Sequence, residues 1–283
     1  MKDAQDILGK PNGTLLVPPG HYYSPLIDSD DPWVKLAITE EASPTIAPDQ
    51  LGVNEKKLER FQRQIARRKN RFRNKKSSSC RYYADNAAFS LSDALALQTV
   101  MEEYNPSRYI EIGCGFSSAA AYDIRGANTV MTFIDPRPEA SHLMELLKAD
   151  DDPDIRPCRV QECELSLFRE LRENDILFCD TSHVSKTGSD VLDILFRVLP
   201  ALRPGVLIHF HDIFYPFEYP EMWFGDMPHS WNEAYILRAF LEGNRGYEVF
   251  GWVDWAYKLR PELIKSSCAS RRGGSFWIRK LPA

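Results

Sequence analysis

The chain has 283 residues, with 35 Lys and Arg against 40 Asp and Glu, a net charge of −5, and 43% apolar residues. That is the make-up of a globular protein with one large domain, or one domain plus an extension. No run approaches the 18 apolar residues of a membrane span, the opening MKDAQDILGK lacks a secretory apolar stretch, and Cys80, Cys114, Cys158, Cys163, Cys179 and Cys268 form no C-x-x-C pair, so a reduced, cytoplasmic chain is expected.

Residues 1–53 are rich in proline, aspartate and aromatic side chains, with Pro18-Pro19-Gly20-His21-Tyr22-Tyr23-Ser24-Pro25 in the middle. Such a stretch forms neither a regular helix nor a central strand. It reads as an extended arm, or as a cover in which His21, Tyr22 and Tyr23 close a substrate pocket. Residues 54–76 follow a helical period and carry 11 Lys and Arg against Glu55 and Glu59, which leaves the rest of the chain at −14. Leu58, Phe61, Ile65 and Phe72 fall near one face with the charges around it, as on a solvated surface helix. No nucleic-acid motif accompanies the charge, so neither nucleic acid nor a membrane is an expected partner. The run Lys75 to Ser79 reads as a linker. The predicted division is therefore an arm with a basic helix over 1–78 and a main domain over 79–283.

Arg81 to Phe89 leads into a helix over Ser92–Tyr104 with Asp93 near its start. Next comes Arg108 to Ser118, RYIEIGCGFSS: a short apolar strand, a glycine turn, then the small residues that open a helix. Gly113 and Gly115 let the backbone turn sharply and approach a ligand, and the first amides of the helix face whatever sits over the turn. A dinucleotide fingerprint would place a third glycine at Ser118. Glu111, inside the strand, suits a cationic ligand better than a pyrophosphate. About 20 residues beyond the turn the apolar run Val130–Ile134 ends in Asp135, placed to bind ribose hydroxyls.

The pattern E-x-G-x-G-x-S followed by a strand ending in Asp resembles the cofactor site of class I S-adenosylmethionine-dependent methyltransferases. The resemblance implies an α/β, Rossmann-like, doubly wound seven-stranded sheet, mostly parallel with a C-terminal antiparallel hairpin. It also implies that Gly113, Gly115 and Ser117 pass by the methionine part of the cofactor, that Glu111 lies near its amino end, and that Asp135 takes the ribose diol. Tyr83, Asn86 and Phe89 read equally as core residues and as cofactor contacts.

A helix through His142–Leu147 and a third strand near Cys158–Gln161 follow, with Gln161 and Glu162 either at the adenine or at a solvated strand end. Ile176–Cys179 is a fourth, buried strand ending in Asp180. Thr187-x-x-Asp190 reads as a capping box for a helix over Val191–Leu199. A fifth strand, Val206–Phe210, ends in His211-Asp212. Ligands of open α/β sheets bind at the carboxyl ends of the strands, and two carboxylates brought there together favour a cation between them. Asp180 and Asp212 either bind Mg²⁺, Mn²⁺ or Ca²⁺, which suit oxygen ligands better than zinc does, or cap local turns.

The strand ending D-x-S-H, the following K-T-G-S-D, and then H-x-H-D-I-F with F-E-Y-P resemble a bacterial small-molecule methyltransferase family that includes macrolide-sugar and cephalosporin-tailoring enzymes. That likeness implies metal ligands at Asp180 and Asp212, with His211 standing where the macrolide-sugar enzymes carry a glutamate. His183 takes the place of the base in catechol-type enzymes, and its unperturbed pKa near 6.5 suits proton removal. Lys186 is the second candidate, and His209 reads as buried.

Beyond, the aromatic stretch Phe214 to Trp231 reads as a substrate wall and Ser230-x-x-Glu233 as a helix cap. Tyr247–Val253 and Ser275–Arg279 read as a closing antiparallel pair, with Leu259–Gly274 a loop or lid. The sequence as a whole reads as a metal-assisted O-methyltransferase acting on a small hydroxylated or glycosylated acceptor. Its rivals are a metal-independent N- or C-methyltransferase, an inactive cofactor-binding scaffold and a nicotinamide-dependent oxidoreductase. Self-association is left open.

Overall fold

Seven strands make one sheet in a computed structural model that describes residues 17, 20, 21, 23–38, 51, 53–148, 151–224, 229–265 and 272–282. In chain order they are β1 Arg108–Ile112, β2 Val130–Ile134, β3 Asp154–Arg156, β4 Ile176–Cys179, β5 Leu207–Phe210, β6 Tyr247–Trp252 and β7 Phe276–Lys280. They lie side by side in the order β3-β2-β1-β4-β5-β7-β6. The first five run parallel, and β7 enters antiparallel between β5 and β6. This is the expected doubly wound sheet with a C-terminal antiparallel pair. Every residue of β4 and β5 is buried, which is why both read as unbroken apolar runs. Strand order reverses between β1 and β4, and a crevice opens at such a switch point.

The chain divides into two compact units, Met1–Pro44 with Tyr219–Ser230, and Thr45–Glu218 with Trp231–Ala283. In the first, helix α1, Pro32–Ile38, starts on the Asp31 carboxylate, which accepts from the Trp33 amide at 2.7 Å. His21 and Tyr23 belong to this unit, whereas Pro18, Pro19 and Tyr22 lie outside the described residues. The sheet belongs to the second unit, as do the helices α2 Glu55–Arg67, α3 Leu91–Tyr104, α4 Phe116–Ile124, α5 His142–Leu146, α6 Leu165–Arg169, α7 Asp190–Asp193, α8 Leu199–Ala201, α9 Glu233–Leu241 and α10 Val253–Leu259. Between α7 and α8 the helix continues as a π-helical turn, Ile194–Val198.

Three expected elements are corrected. Helix α2 stops at Arg67 rather than running to 76: Asn70 closes a local turn by accepting from the Phe72 amide at 2.8 Å, and Arg73 then pairs with Tyr83 as an isolated bridge. Charges of this basic stretch are paired, Lys57 of the helix with Glu248, and Arg68 just past its end with Glu102 and Glu103. The third strand is Asp154–Arg156, not Cys158–Gln161; Pro157 has no amide to continue a ladder, and Val160–Glu162 forms a single 3₁₀ turn. The helix after β4 is capped by the Ser189 hydroxyl, which accepts from the Leu192 amide, rather than by Thr187.

Cys80, Cys114, Cys158, Cys163 and Cys179 are free thiols, and Cys268 lies outside the described residues. So do residues 266–271 of the expected lid and 225–228 of the expected substrate wall. Among the described residues no helix is long and apolar enough to cross a membrane.

Candidate active site

A cleft of about 610 Å³ opens where β1, β2 and β4 end. Gly113 and Cys114 form one wall, Asp135 and Arg137 the next, and Cys158 to Gln161 a third; Asp180 to Ser182 and Lys186 complete it. Gly113 is fixed twice over. Its φ of +83° is left-handed, and a Cβ there would lie 1.8 Å from the Asp180 carbonyl oxygen. Its amide donates to Ile134 O, and the Asp180 amide donates to Ile112 O, both at 2.9 Å. The turn is thus threaded between the ends of β2 and β4. Gly115 differs, since a Cβ there would meet nothing within 4 Å.

Asp135 faces this cleft as expected. Its two oxygens accept from the Cys114 amide at 3.1 Å and the Arg137 amide at 2.7 Å, which holds the carboxylate at the strand tip. Gln161 lines the cleft too. Its Nε2 donates to Gly188 O at 2.8 Å, which fixes the amide's orientation and leaves Oε1 buried without a partner. A buried acceptor left over in a cleft calls for a donor from a ligand.

Other expected cofactor contacts are not brought here. Glu111 is fully buried, and its carboxyl accepts from Tyr109 Oη at 2.8 Å, Ser117 Oγ at 2.5 Å and Ser118 Oγ at 2.9 Å. Burial pushes its pKa up to about 8 against the pull of those three hydroxyls. Glu111 and Ser117 therefore pin α4 to β1 rather than meet a ligand's amino end. Glu162 folds back to accept from the Arg159 amide at 2.7 Å. Asn86 closes the loop before α3, accepting from the Ala88 and Phe89 amides and donating to the Tyr83 and Phe89 carbonyls. Tyr83 packs edge-on against Phe116, and Phe89 is core, edge-on to Phe178.

Asp180 joins the cleft to a second cluster at the ends of β4 and β5. His183 Nε2 lies 3.4 Å from Asp180 Oδ1 and 3.6 Å from Asp212 Oδ2, while its Nδ1 is 2.7 Å from Glu233 Oε2. His211 Nδ1 lies 3.4 Å from Asp212 Oδ1 and 3.8 Å from Asp180 Oδ1; its Nε2 is 3.6 Å from Asp93 Oδ2. His183 and Asp212 both take left-handed φ values, 57° and 58°, a backbone state that concentrates at working sites. His183 is buried behind Asp180 and does not itself line the cleft. His209 is buried as expected, stacked on Phe178 at 3.8 Å.

Two histidines thus alternate with four carboxylates. Burial alone would lower both rings, but Asp180 and Glu233 raise the His183 pKa to about 10, and Asp212, Asp180 and Asp93 carry His211 well above its usual range. The imidazolium charges in turn hold Asp180 and Asp93 below the ordinary carboxylate range, against desolvation that would raise both. Among the described residues no group of three or more His, Cys, Asp and Glu side chains is arranged to hold a metal ion. Asp180, His211 and Asp212 come together at the strand ends, with the His183 ring placed against both carboxylates.

Sequence reasoning missed Asp93 and Glu233, which it read as helix-start residues. It also passed over Gly273 and Gly274, where a Cβ would lie 2.7 Å from Asp93 Oδ1 and from Asp212 Cα respectively. Ser275 N donates to Asp93 Oδ1 at 2.8 Å and Ile213 N to Gly274 O at 3.0 Å, so this segment packs directly on both acids. The Gly-Gly pair before the last strand was the available signal.

Residues 110–213, from β1 to just past β5, match the family model for a methyltransferase domain. This stretch, a little over a third of the chain, is similar to methyltransferase domains. Within it fall the glycine turn, Asp135, Gln161, Asp180, His183 and the His211-Asp212 pair. The chain is similar to a protein of Archaeoglobus fulgidus, 34% identical over 101 residues, which is 34% of this chain; the match spans 45% of that relative's length, less than half. Three solved structures are also similar. A putative O-methyltransferase from Klebsiella pneumoniae is 16% identical over 86% of this chain and 94% of its own, with a TM-score of 0.45. An O-methyltransferase from Streptomyces achromogenes, involved in tomaymycin synthesis and solved with S-adenosylmethionine, is 14% identical over 71% and 84%, with a TM-score of 0.44. A Podospora anserina methyltransferase with bound S-adenosylhomocysteine is 19% identical over 67% and 78%, with a TM-score of 0.44.

Proposed function

We propose that this chain is an S-adenosylmethionine-dependent methyltransferase that methylates a hydroxyl oxygen of a small hydroxylated or glycosylated molecule. One observation carries the reading: Gly113, Asp135, Gln161 and Asp180 line one cleft at the strand ends, within the stretch that matches the methyltransferase-domain model. These residues fit the cofactor. Asp135 offers a carboxylate to a ribose diol, the unpartnered Gln161 Oε1 offers an acceptor to an exocyclic amine, and the bare Gly115 leaves space over the turn. Asp180, held ionised and about a third exposed, presents a negative charge suited to a cationic sulfonium.

When bound, S-adenosylmethionine would supply an electrophilic methyl group to an acceptor oxygen. The chain's task in such a displacement is alignment and removal of one proton. His183 is the base in this reading. Its Nε2 faces Asp180 and Asp212, and the ring must first give up its own proton, because the surrounding acids hold it charged at neutral pH. Lys186, which lines the cleft, is the second candidate.

The test is calorimetry with S-adenosylmethionine and, separately, NAD, followed by a mass-spectrometric search for methylated products among catechols and methyl glycosides. Binding of S-adenosylmethionine with a methylated product supports the reading. Binding of NAD alone favours the oxidoreductase, and cofactor binding without product from any acceptor favours the scaffold.

A further inference from the structure

Glu233 opens α9, where an acid ordinarily faces solvent and the helix dipole. Here it is turned inward and buried, 2% exposed. Its Oε2 accepts from Thr181 Oγ1 at 3.0 Å and lies 2.7 Å from His183 Nδ1, fifty residues away in the chain. The backbone around it grips the same loop. The Asn232 and Glu233 amides donate to His183 O at 3.0 and 3.1 Å, and Ser185 N donates to Asn232 Oδ1 at 2.5 Å. The Trp231 ring packs on the imidazole with centroids 4.3 Å apart.

We propose that Glu233 is a positioning residue for the proposed methyl transfer, fixing the proton of His183 on Nδ1 and aiming Nε2 at the gap between Asp180 and Asp212. The inference rests on the methyltransferase reading above. An ionised carboxylate can only accept, so the nitrogen facing Glu233 must be the one that keeps its hydrogen. The proton that His183 loses before acting, and the one it then takes from an acceptor hydroxyl, both pass at Nε2. The neighbouring groups leave this choice to Glu233: Trp231 offers the ring a face, and Thr181 Oγ1 gives its hydrogen to Glu233. An imidazole whose second nitrogen is tied to a carboxylate is held in orientation and made more basic; for histidines that hold a metal, loss of such a partner costs about 10–100-fold, and the same order is expected here.

The experiment compares wild type, Glu233→Ala and Glu233→Gln above about pH 10, where the His183 ring is neutral, by long-range ¹H–¹⁵N correlation of the imidazole rings, with His183→Gln assigning the signal. Glu233→Ala is expected to replace the Nδ1-protonated pattern of His183 by a tautomer mixture, leaving the other five histidines unchanged. Glu233→Gln keeps an acceptor oxygen and is expected to restore the pattern. On the catechol and methyl glycoside probes, Glu233→Ala should lower kcat about 10–100-fold. Affinity for S-adenosylmethionine should stay within about threefold, since Glu233 does not line the cleft. An unchanged His183 pattern in Glu233→Ala overturns the proposal, as does a matching loss of cofactor affinity. If the alanine variant does not fold, Glu233→Met, nearly isosteric and without an acceptor, gives the same reading. Wild type that binds no S-adenosylmethionine overturns the methyltransferase reading, while the ring spectra still decide Glu233.

Discussion

Gly113 sits directly beneath the carbonyl of Asp180, so close that a single methyl group at position 113 would lie 1.8 Å from that oxygen. The two residues end neighbouring strands, β1 and β4, and their contact sets the floor of the cleft. Gly113→Ala must relieve a backbone clash and hold alanine at φ +83°, and is expected to cost more than about 3 kcal/mol, the left-handed strain alone being roughly 1–2 kcal/mol. Gly115→Ala meets open space and should change stability by less than about 1 kcal/mol while weakening S-adenosylmethionine. Chemical denaturation and calorimetry on both variants check this pair, and equal destabilisation would refute the assignment.

Asp135→Ala should weaken S-adenosylmethionine by roughly 2–4 kcal/mol, through loss of two charge-assisted hydrogen bonds to ribose. The carboxylate also holds the Cys114 and Arg137 amides, so Asp135→Asn, which keeps one acceptor oxygen, separates the two contributions. Unchanged affinity in a folded alanine variant would remove Asp135 from the cofactor site.

The buried Glu111 makes stability depend on pH. Its folded pKa, about 8, lies above the ordinary 4.5. The folded chain therefore keeps a proton that the unfolded chain releases. The associated stability is fully present below pH 4.5 and is lost as pH rises, levelling off above about pH 8. The loss is on the order of several kcal/mol. Glu111→Gln cannot ionise and should gain on wild type between pH 5 and pH 8 in denaturant titrations. Parallel curves for the two proteins would show that Glu111 is charged in the fold.

His183 should impose an alkaline rise on the rate. With a pKa near 10, the fraction of neutral base grows about tenfold per pH unit below that value. Initial rates with saturating cofactor should climb accordingly and flatten near pH 10, and His183→Ala should be lower by about 10²–10⁴-fold. A flat profile in wild type with full activity in His183→Ala would discard the base and bring Lys186 forward.

Turnover is expected to survive exhaustive treatment with EDTA, because the His183 and His211 rings already stand against the Asp180 and Asp212 carboxylates. Activity lost on chelation and restored by Mg²⁺ would reinstate the metal expected from the acid pair alone.

Local pattern was enough for the parts of this protein whose structure is local. The apolar runs at Tyr109–Ile112, Val130–Ile134, Ile176–Cys179 and Val206–Phe210, each broken by a turn signal, gave the parallel sheet, because a strand buried on both faces must read as a continuous apolar run. Asp135, Asp180 and Asp212 followed from being the first polar residues after such runs, which puts them at the ligand edge of the sheet. Tertiary structure decided which charges meet. Glu111 reads as a carboxylate beside a glycine turn, yet the serines that bury it sit on the next helix, and only folding brings their hydroxyls onto it. Asp93 and Glu233 read as helix-start residues because nothing near them in sequence shows His211 or His183, 118 and 50 positions away. Which carboxylate faces which ring lay in those distant pairings, and the charge state of a buried group is set by every partner around it.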